Sequence, residues 1–562
     1  MRPRGAFPGL AAVAVLAAGG CGTANGPAPG APEPIAWIDT LPVPPPEPNF
    51  PPEFWRVSDA PVIGGAGRLV GLRRWFGPEQ EAVNLTRFDD VVSSSWFERR
   101  NGYRDMTPEE VARGPVTSGP DTSGVLRIVG LSTGRTPGFT VEDDRGDRFL
   151  LKFDPPGYRH LATAADVISS RLLWAAGYHT PENSVFVFDP RRLALDPSVM
   201  VEVDPEDETD PAVAAAGGNH GGPTTNGVPM RPVRDEDLWE VLERIEALPD
   251  GRLLAVASRI LPGVPLGPFR FEGRREDDPN DYYLHEYRRE LRGLYVVAAW
   301  LNHVELNFSN TLDTYVEPGY VRHHLIDFGE TLGSGTLEPL DPGTSRAAGV
   351  DVGGTLTRLL SLGFLRPAWK TVDYDVPHPS IGWMQVEEFD PGAWTPRFGS
   401  GAFARMTDRD GYWGAKLVAA FDDDEIRAAV TAGRFSDPAA ADTLAEILSF
   451  RRDRIVEHWY GRITPIEEPR VEKAPAGGEN LLAVSFLDLG LRDGTRTAEE
   501  TVYEFRFQDP DRGILREGAA RAAPGRSRQT IRVPSLGTSA AVGPEAPDPG
   551  ALLEVRVAGK RT

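Results

Sequence analysis

His303-Val304-Glu305-Leu306-Asn307-Phe308-Ser309-Asn310 is followed, after two short alternating runs, by Ile326-Asp327-Phe328-Gly329. The reading of the fold turns on this stretch. It sets an acid, an amide and a second acid (Glu305, Asn310, Asp327) in two loops that flank a strand-turn-strand segment. Carboxylate and amide oxygens are the ligands that hard divalent cations take, and a carboxylate held near a reacting hydroxyl can accept its proton. Each residue also has a plainer reading. Asp-x-Gly is a common turn pair, and a loop Asn can cap the backbone of Thr311-Leu312. The spacing of the whole set, more than any single member, argues against chance.

Around this stretch the chain is long and rich in loops. Its 562 residues exceed one hydrophobic core and predict two to four domains. Gly (60) and Pro (52) make up nearly a fifth of it, so linkers are expected. The net charge of −22 repels phosphate backbones and argues against nucleic acid as a partner. Residues 1–21 hold Arg2 and Arg4, an apolar run from Ala6 to Ala18, then Gly19-Gly20-Cys21. That is the layout of a signal peptide, too short to span a membrane as a helix. Cys21 is the single cysteine, which excludes an intramolecular disulfide. Its setting resembles the lipobox of bacterial lipoproteins, with Ala18 where that motif prefers Leu. The resemblance implies lipidation at Cys21 and attachment to the extracytoplasmic side of a bacterial cell-envelope membrane. The alternative is an ordinary secretory signal with an incidental cysteine. No later apolar run is long enough to span, so lipid is the only membrane anchor expected.

Composition divides the rest. Residues 22–52 read as a Pro-rich tether that stays extended and lifts a folded body off the membrane. Residues 53–123 read as an N-terminal extension wrapping the next domain, with Trp75, Phe76, Trp96 and Phe97 as packing residues but no clear period. From 124 the pattern turns to strands: Val125–Val129, a hairpin over Phe139–Phe153, and Asn183–Asp189. A helix from Thr163, closed by Gly177, stands between them. Residues 202–232 read as a disordered insertion. A helix at Asp237–Leu248 and a strand at Leu253–Ile260 follow, and the longest helix is expected at about 284–301. Further helices are expected at Gly414–Phe421, Asp423–Thr431 and Pro438–Tyr460, and a small β-sandwich-like appendage over 480–562.

Strands first, one helix among them, then a helical half bearing two motif loops: over roughly 124–465 this order resembles the protein-kinase-like superfamily. His303, Leu306 and Asn310 fit the kinase pattern His-Arg-Asp-Leu-x-x-x-Asn, and Asp327-Phe328-Gly329 fits Asp-Phe-Gly. The resemblance is nearer to atypical bacterial groups, HipA-like and CotH-like, than to eukaryotic kinases. It implies an α+β bilobal fold, with a β-rich N-lobe over 124–262, a helical C-lobe over 263–465 and the C-terminal β appendage beyond. It also implies ATP with Mg²⁺ or Mn²⁺, held in a site that must build its own positive field within an acidic protein.

Residue roles follow from that resemblance. Asp327 and Asn310 stand where kinases place metal ligands, and Glu305 stands where they place the catalytic Asp. Glu keeps a carboxylate but displaces it by one methylene. Lys152, ending Phe149-Leu-Leu-Lys-Phe153, matches the strand lysine that meets the phosphates; an outward surface lysine is the alternative. Asp166 stands where kinases place the acid that pairs with this lysine, although Thr163-Ala-Ala-Asp166 also resembles a helix capping box. Gly130, Gly134 and Gly138 lie where a phosphate-covering loop belongs, without its G-x-G-x-x-G spacing. Asp410-Gly-Tyr-Trp413-Gly resembles a kinase helix start, and His303, His323 and His324 fit no common zinc spacing. The expected function is a lipid-anchored, divergent phosphotransferase acting on an envelope protein or a small molecule. The alternatives are a catalytically silent kinase-like binding module and a purely structural envelope lipoprotein.

Overall fold

The computed structural model describes residues 38–51, 80–86, 88–132, 137–203, 224–225, 228–335, 337–340, 378–473, 481–509, 513–534 and 552–558. Cys21 with its signal segment, and Gly134, lie outside them. The protein is of mixed α+β architecture with several sheets.

Alternating apolar residues build the first sheet. Strands β1 (Leu126–Ser132), β2 (Gly138–Glu142) and β3 (Arg148–Phe153) pair antiparallel, and the expected hairpin turns around Gly146 at φ 80°. Every second residue, Phe139, Val141, Phe149, Leu151 and Phe153, is buried on one face. Helix α1 (Leu161–Ala175), β4 (Asn183–Phe188) and β5 (Leu193–Leu195) follow. Helix α2 (Asp235–Glu243) covers the Phe149 face through Val241, and β6 (Leu253–Arg259) completes the sheet in the order β4-β6-β3-β2-β1-β5. The opposite face is closed by α1, where Val167 packs on Val185, Leu254 and Val256. Lys152 pairs in register with Val256, so it belongs to the α1 face.

The insertion differs from its expected disorder. Met200–Glu202, Thr224–Thr225 and Val228–Pro232 form a small sheet of their own, because Val201 and Val203 find burial that composition did not announce. Residues 204–223 lie outside the described residues.

The second half is organised by α3 (Arg289–Leu301), all thirteen of whose residues are buried. A helix apolar nearly all round belongs in a core. Its two arginines survive burial because Asp410 meets them, at 2.6 Å from Arg289 and 3.1 Å from Arg292. It is shorter than the expected 284–301, and the longest helix is instead α6, introduced below. The His285 ring bonds Asp281 at 2.7 Å and holds residues 285–287 in a separate 3₁₀ turn ahead of α3. Asn302, at φ 51°, ends α3 in the left-handed conformation and releases the chain into the 303–310 loop. Strands β7 (Val264–Gly267), β8 (Thr311–Val316) and β9 (Tyr320–Leu325) form a three-stranded sheet that carries the end of this loop and Asp327 at the same edge, where β8 begins and β9 ends.

Helices α4 (Asp408–Ala419), α5 (Asp423–Thr431) and α6 (Pro438–Tyr460) complete the helical half. The last two match expectation residue for residue, since Asp422 with Glu425 and Asp437 with Pro438 are strong start signals. The N-terminal segments pack chiefly on this half. Trp96, Phe97 and Val111 join its core alongside α1, and Asn101 donates to Glu425. Residues 38–51, the described part of the expected 22–52 tether, are extended and docked. Val43 N–H donates to Gly319 O at 2.8 Å, Asn49 N–H to Leu266 O at 2.8 Å, and Tyr315 O–H to Val43 O at 2.7 Å. A Pro-rich chain loses little entropy on docking because it is already extended.

The C-terminal appendage begins at Ile466, ahead of the expected 480. Its sheets, Ile466–Lys473 with Leu481–Asp488 and Arg528–Pro534, and Gly513–Arg521 with Val502–Asp509 and Leu552–Val557, share one core of Phe486, Tyr503, Phe505, Phe507, Ile531 and Val533. Ile466–Lys473 is an edge strand holding Pro469, which hides its strand character from a hydrophobicity pattern. Among the described residues no helix is long and apolar enough to cross a membrane.

Candidate functional site

The two loops meet the first sheet at Lys152. Its ammonium lies 2.7 Å from Asp327 Oδ1. The alternation that buries Phe149, Leu151 and Phe153 on one face turns Lys152 to the other, so the outward-lysine alternative does not hold. Burial works against the ammonium, but Asp327 and Asp166 outweigh it and hold the group more firmly protonated than usual.

Asp327 adopts φ 60°, a left-handed conformation that Asp tolerates better than most residues. Backbone held there by its surroundings is characteristic of functional sites. The conformation leaves half of the side chain exposed. Burial of the rest pushes its carboxyl up, yet Lys152, aided by the Gly329 N–H, brings it below the ordinary range. Asn310 stands alongside: its Nδ2 lies 3.5 Å from Asp327 O, and its Oδ1 accepts from Asn307 Nδ2 at 2.9 Å. The Ile326 N–H donates to Asn310 O at 2.9 Å and ties the ends of the two loops together.

Asp166 is almost wholly buried on α1. The expected salt bridge from Lys152 runs to Asp327 instead, with Asp166 contributing at longer range. The capping-box alternative also fails. Asp154, at the end of β3, accepts from the N–H groups of His160, Ala162 and Thr163 and from the Thr163 hydroxyl, so α1 is capped from the strand. Asp166 is thereby left to receive Asn183 Nδ2 and the Phe328 N–H. Burial raises its carboxyl to about 6, against the pull of Lys152.

Glu305 is partly buried on the 303–310 loop. Arg397 Nη1 lies 2.7 Å from its Oε1 and 3.1 Å from Glu330 Oε2. Burial first, then the neighbouring Glu330, lifts the Glu305 carboxyl to about 7 in spite of Arg397. His303 is fully buried, packs edge-on against Phe328 at 5.9 Å, and is held neutral by burial, its pKa lowered to about 4. His323 bonds Asp313 at 2.6 Å and stacks on Trp96, while His324 bonds Thr314 at 3.0 Å. These three histidines serve packing and local hydrogen bonds.

The glycines divide. Gly138 opposes Lys152, and a side chain there would meet Leu151 O at 2.9 Å. Gly130 sits at a register shift in β1, where a Cβ would find ordinary contacts. Asp410 caps α4 together with Thr407 and pairs with Arg289 and Arg292, away from the loops.

Two members of the cluster went unanticipated. Glu330 directly follows Asp327-Phe328-Gly329 and could have been read as a third acid. Arg397 lies about ninety residues downstream of Glu305 in a Gly/Pro/Trp-rich stretch, and no local signal marks it.

Among the described residues no three His, Cys, Asp or Glu side chains gather as a self-sufficient metal site would need. A Mg²⁺ ion that arrives with phosphates needs only one or two protein oxygens. Asp327 Oδ2, not engaged by Lys152, and Asn310 Oδ1, with its second lone pair, fit that donor set. Comparison of the chain with family models, with curated proteins and with solved structures returns no match in any of the three.

Proposed function

We propose that this protein is a divergent phosphotransferase of the protein-kinase-like kind, using a Mg²⁺- or Mn²⁺-bound nucleoside triphosphate, with ATP as the first candidate. One observation carries the reading. A sheet of order β4-β6-β3-β2-β1, with α1 inserted between β3 and β4, brings Lys152 to 2.7 Å from Asp327 across about 175 residues of chain.

Asn310 and Asp327 would hold the metal, and Lys152 would meet the phosphates. The bound metal would screen phosphate charge and orient the terminal group. Gly138 lets the β2 backbone approach β3 closely beside Lys152. Glu305 would accept the proton of an acceptor hydroxyl, and a carboxyl near 7 is matched to that task at neutral pH. The acceptor is an envelope protein or a small molecule, and the Cys21 lipobox supports attachment to the envelope. A nucleotide-holding module without turnover is the second reading, favoured by the ion pair that engages Glu305.

The test is thermal stabilisation by nucleotide with Mg²⁺ or Mn²⁺, since a ligand bound to the folded state must raise its stability. Wild type should be stabilised by millimolar nucleotide and Asp327→Ala should not. No shift in wild type sinks both readings. Labelled-phosphate transfer by wild type, lost in Glu305→Ala, separates the enzyme from the binder.

A further inference from the structure

We propose that Arg397 is a positioning residue for phosphoryl transfer, acting through Glu305 and supplied by the segment downstream of Asp327-Phe328-Gly329. The inference rests on the reading of Glu305 as proton acceptor.

Four observations point the same way. First, the segment is fastened to the 303–310 loop by its backbone: the Arg397 N–H donates to Val304 O at 2.7 Å, one residue from Glu305. Second, a single guanidinium nitrogen meets both Glu305 and Glu330 and offsets the repulsion between two adjacent carboxylates. Third, the loop itself has no Lys or Arg between His303 and Asn310, so a cation for this carboxylate has to come from elsewhere. Fourth, Glu has one more rotatable bond than the Asp usual at such a position. An unheld Glu carboxylate would sample several rotamers, and a misplacement of about 1 Å can cost on the order of 100-fold in rate. Arg397 Nη1 holds Oε1 and so orients the carboxylate that receives the proton.

In the step served, the acceptor oxygen bonds to the terminal phosphorus of the nucleoside triphosphate. The bond from that phosphorus to its bridging oxygen breaks, and the acceptor proton passes to Glu305.

The experiment measures Mg²⁺-dependent ATP hydrolysis, with water as acceptor, in the full chain and in Arg397→Ala, Arg397→Lys and Glu305→Ala, alongside the nucleotide-induced melting shift. The expected result is a fall in kcat of about 30- to 100-fold for Arg397→Ala, with KM for ATP within about threefold. Arg397→Lys should recover part of the rate. Added guanidinium at non-denaturing concentration should raise the rate of Arg397→Ala but not of Glu305→Ala, a rescue that a merely structural role would not give. Unchanged kcat, a loss confined to KM, or a rise in rate overturns the assignment; a rise would mark Arg397 as a blocking contact. A wild-type chain stabilised by nucleotide yet releasing no phosphate also overturns it, while leaving nucleotide binding intact. Absence of any nucleotide-induced shift overturns the parent reading and this assignment with it.

Discussion

Asp166→Asn should stabilise the protein above pH 6 while weakening its grip on nucleotide. The side chain is 1% exposed, and burial lifts its carboxyl from the usual 3.8 to about 6, net of the attraction of Lys152. A carboxyl whose folded pKa lies above its unfolded value binds more protons in the folded state. Its contribution therefore favours folding below about pH 4 and is lost as pH rises towards about 6. The gap between the two values corresponds to about 3 kcal/mol at 1.36 kcal/mol per tenfold change. Asn has nearly the same shape, and its Oδ1 can still accept from Asn183 Nδ2. The variant should thus match wild type near pH 4 and exceed it by up to about 3 kcal/mol at pH 8. The assay is the urea midpoint followed by tryptophan fluorescence between pH 4 and pH 8 without nucleotide. Lys152 would lose the longer-range attraction of Asp166, so on the proposed reading the nucleotide-induced rise in melting temperature should shrink. A midpoint at pH 8 no higher than wild type, with the slope between pH 4 and 6 unchanged, would refute the reasoning.

Two further outcomes are expected. Asp39→Ala leaves the buried N–H and hydroxyl of Ser95 without the carboxylate that accepts them at 2.9 and 2.8 Å, a loss of about 1–3 kcal/mol. It should expose residues 38–51 to limited proteolysis well before the rest of the chain is cut. Cys21→Ser should move the protein from the membrane fraction to the soluble fraction of bacteria that express it with its leader. Retention in the membrane would refute lipidation.

The local elements were legible wherever apolar period and end signals agreed. The strands at Phe139–Phe153 and Leu253, and the helices at Asp423–Thr431 and Pro438–Tyr460, stand where alternation, capping acids and an N1 proline put them. Elements failed where burial arrived from a distant partner. Val228–Pro232 gains its place by pairing with Met200–Glu202, and Ile466–Lys473 by pairing with Leu481–Asp488. The docking of residues 38–51, the described part of the tether, was hidden for a similar reason. Proline content predicts an extended chain, but whether an extended chain is free or docked depends on a surface that its composition does not describe.

At the site, residue types and their loops are legible from local spacing: Lys152 on a strand, Glu305 and Asn310 around one turn, and Asp327 after a hairpin. Short spacings fix such features because they follow from backbone geometry over a few residues. Only the tertiary structure decided which carboxylate meets the lysine, how Asp166 is freed from capping by Asp154, and that Arg397 closes on Glu305. Those contacts join positions from 6 to 175 residues apart. Which of several available charges pairs with which is set by the packing of α1 on the sheet and of the 378–400 segment on the 303–310 loop, where the cost of burying an unpaired charge selects one arrangement.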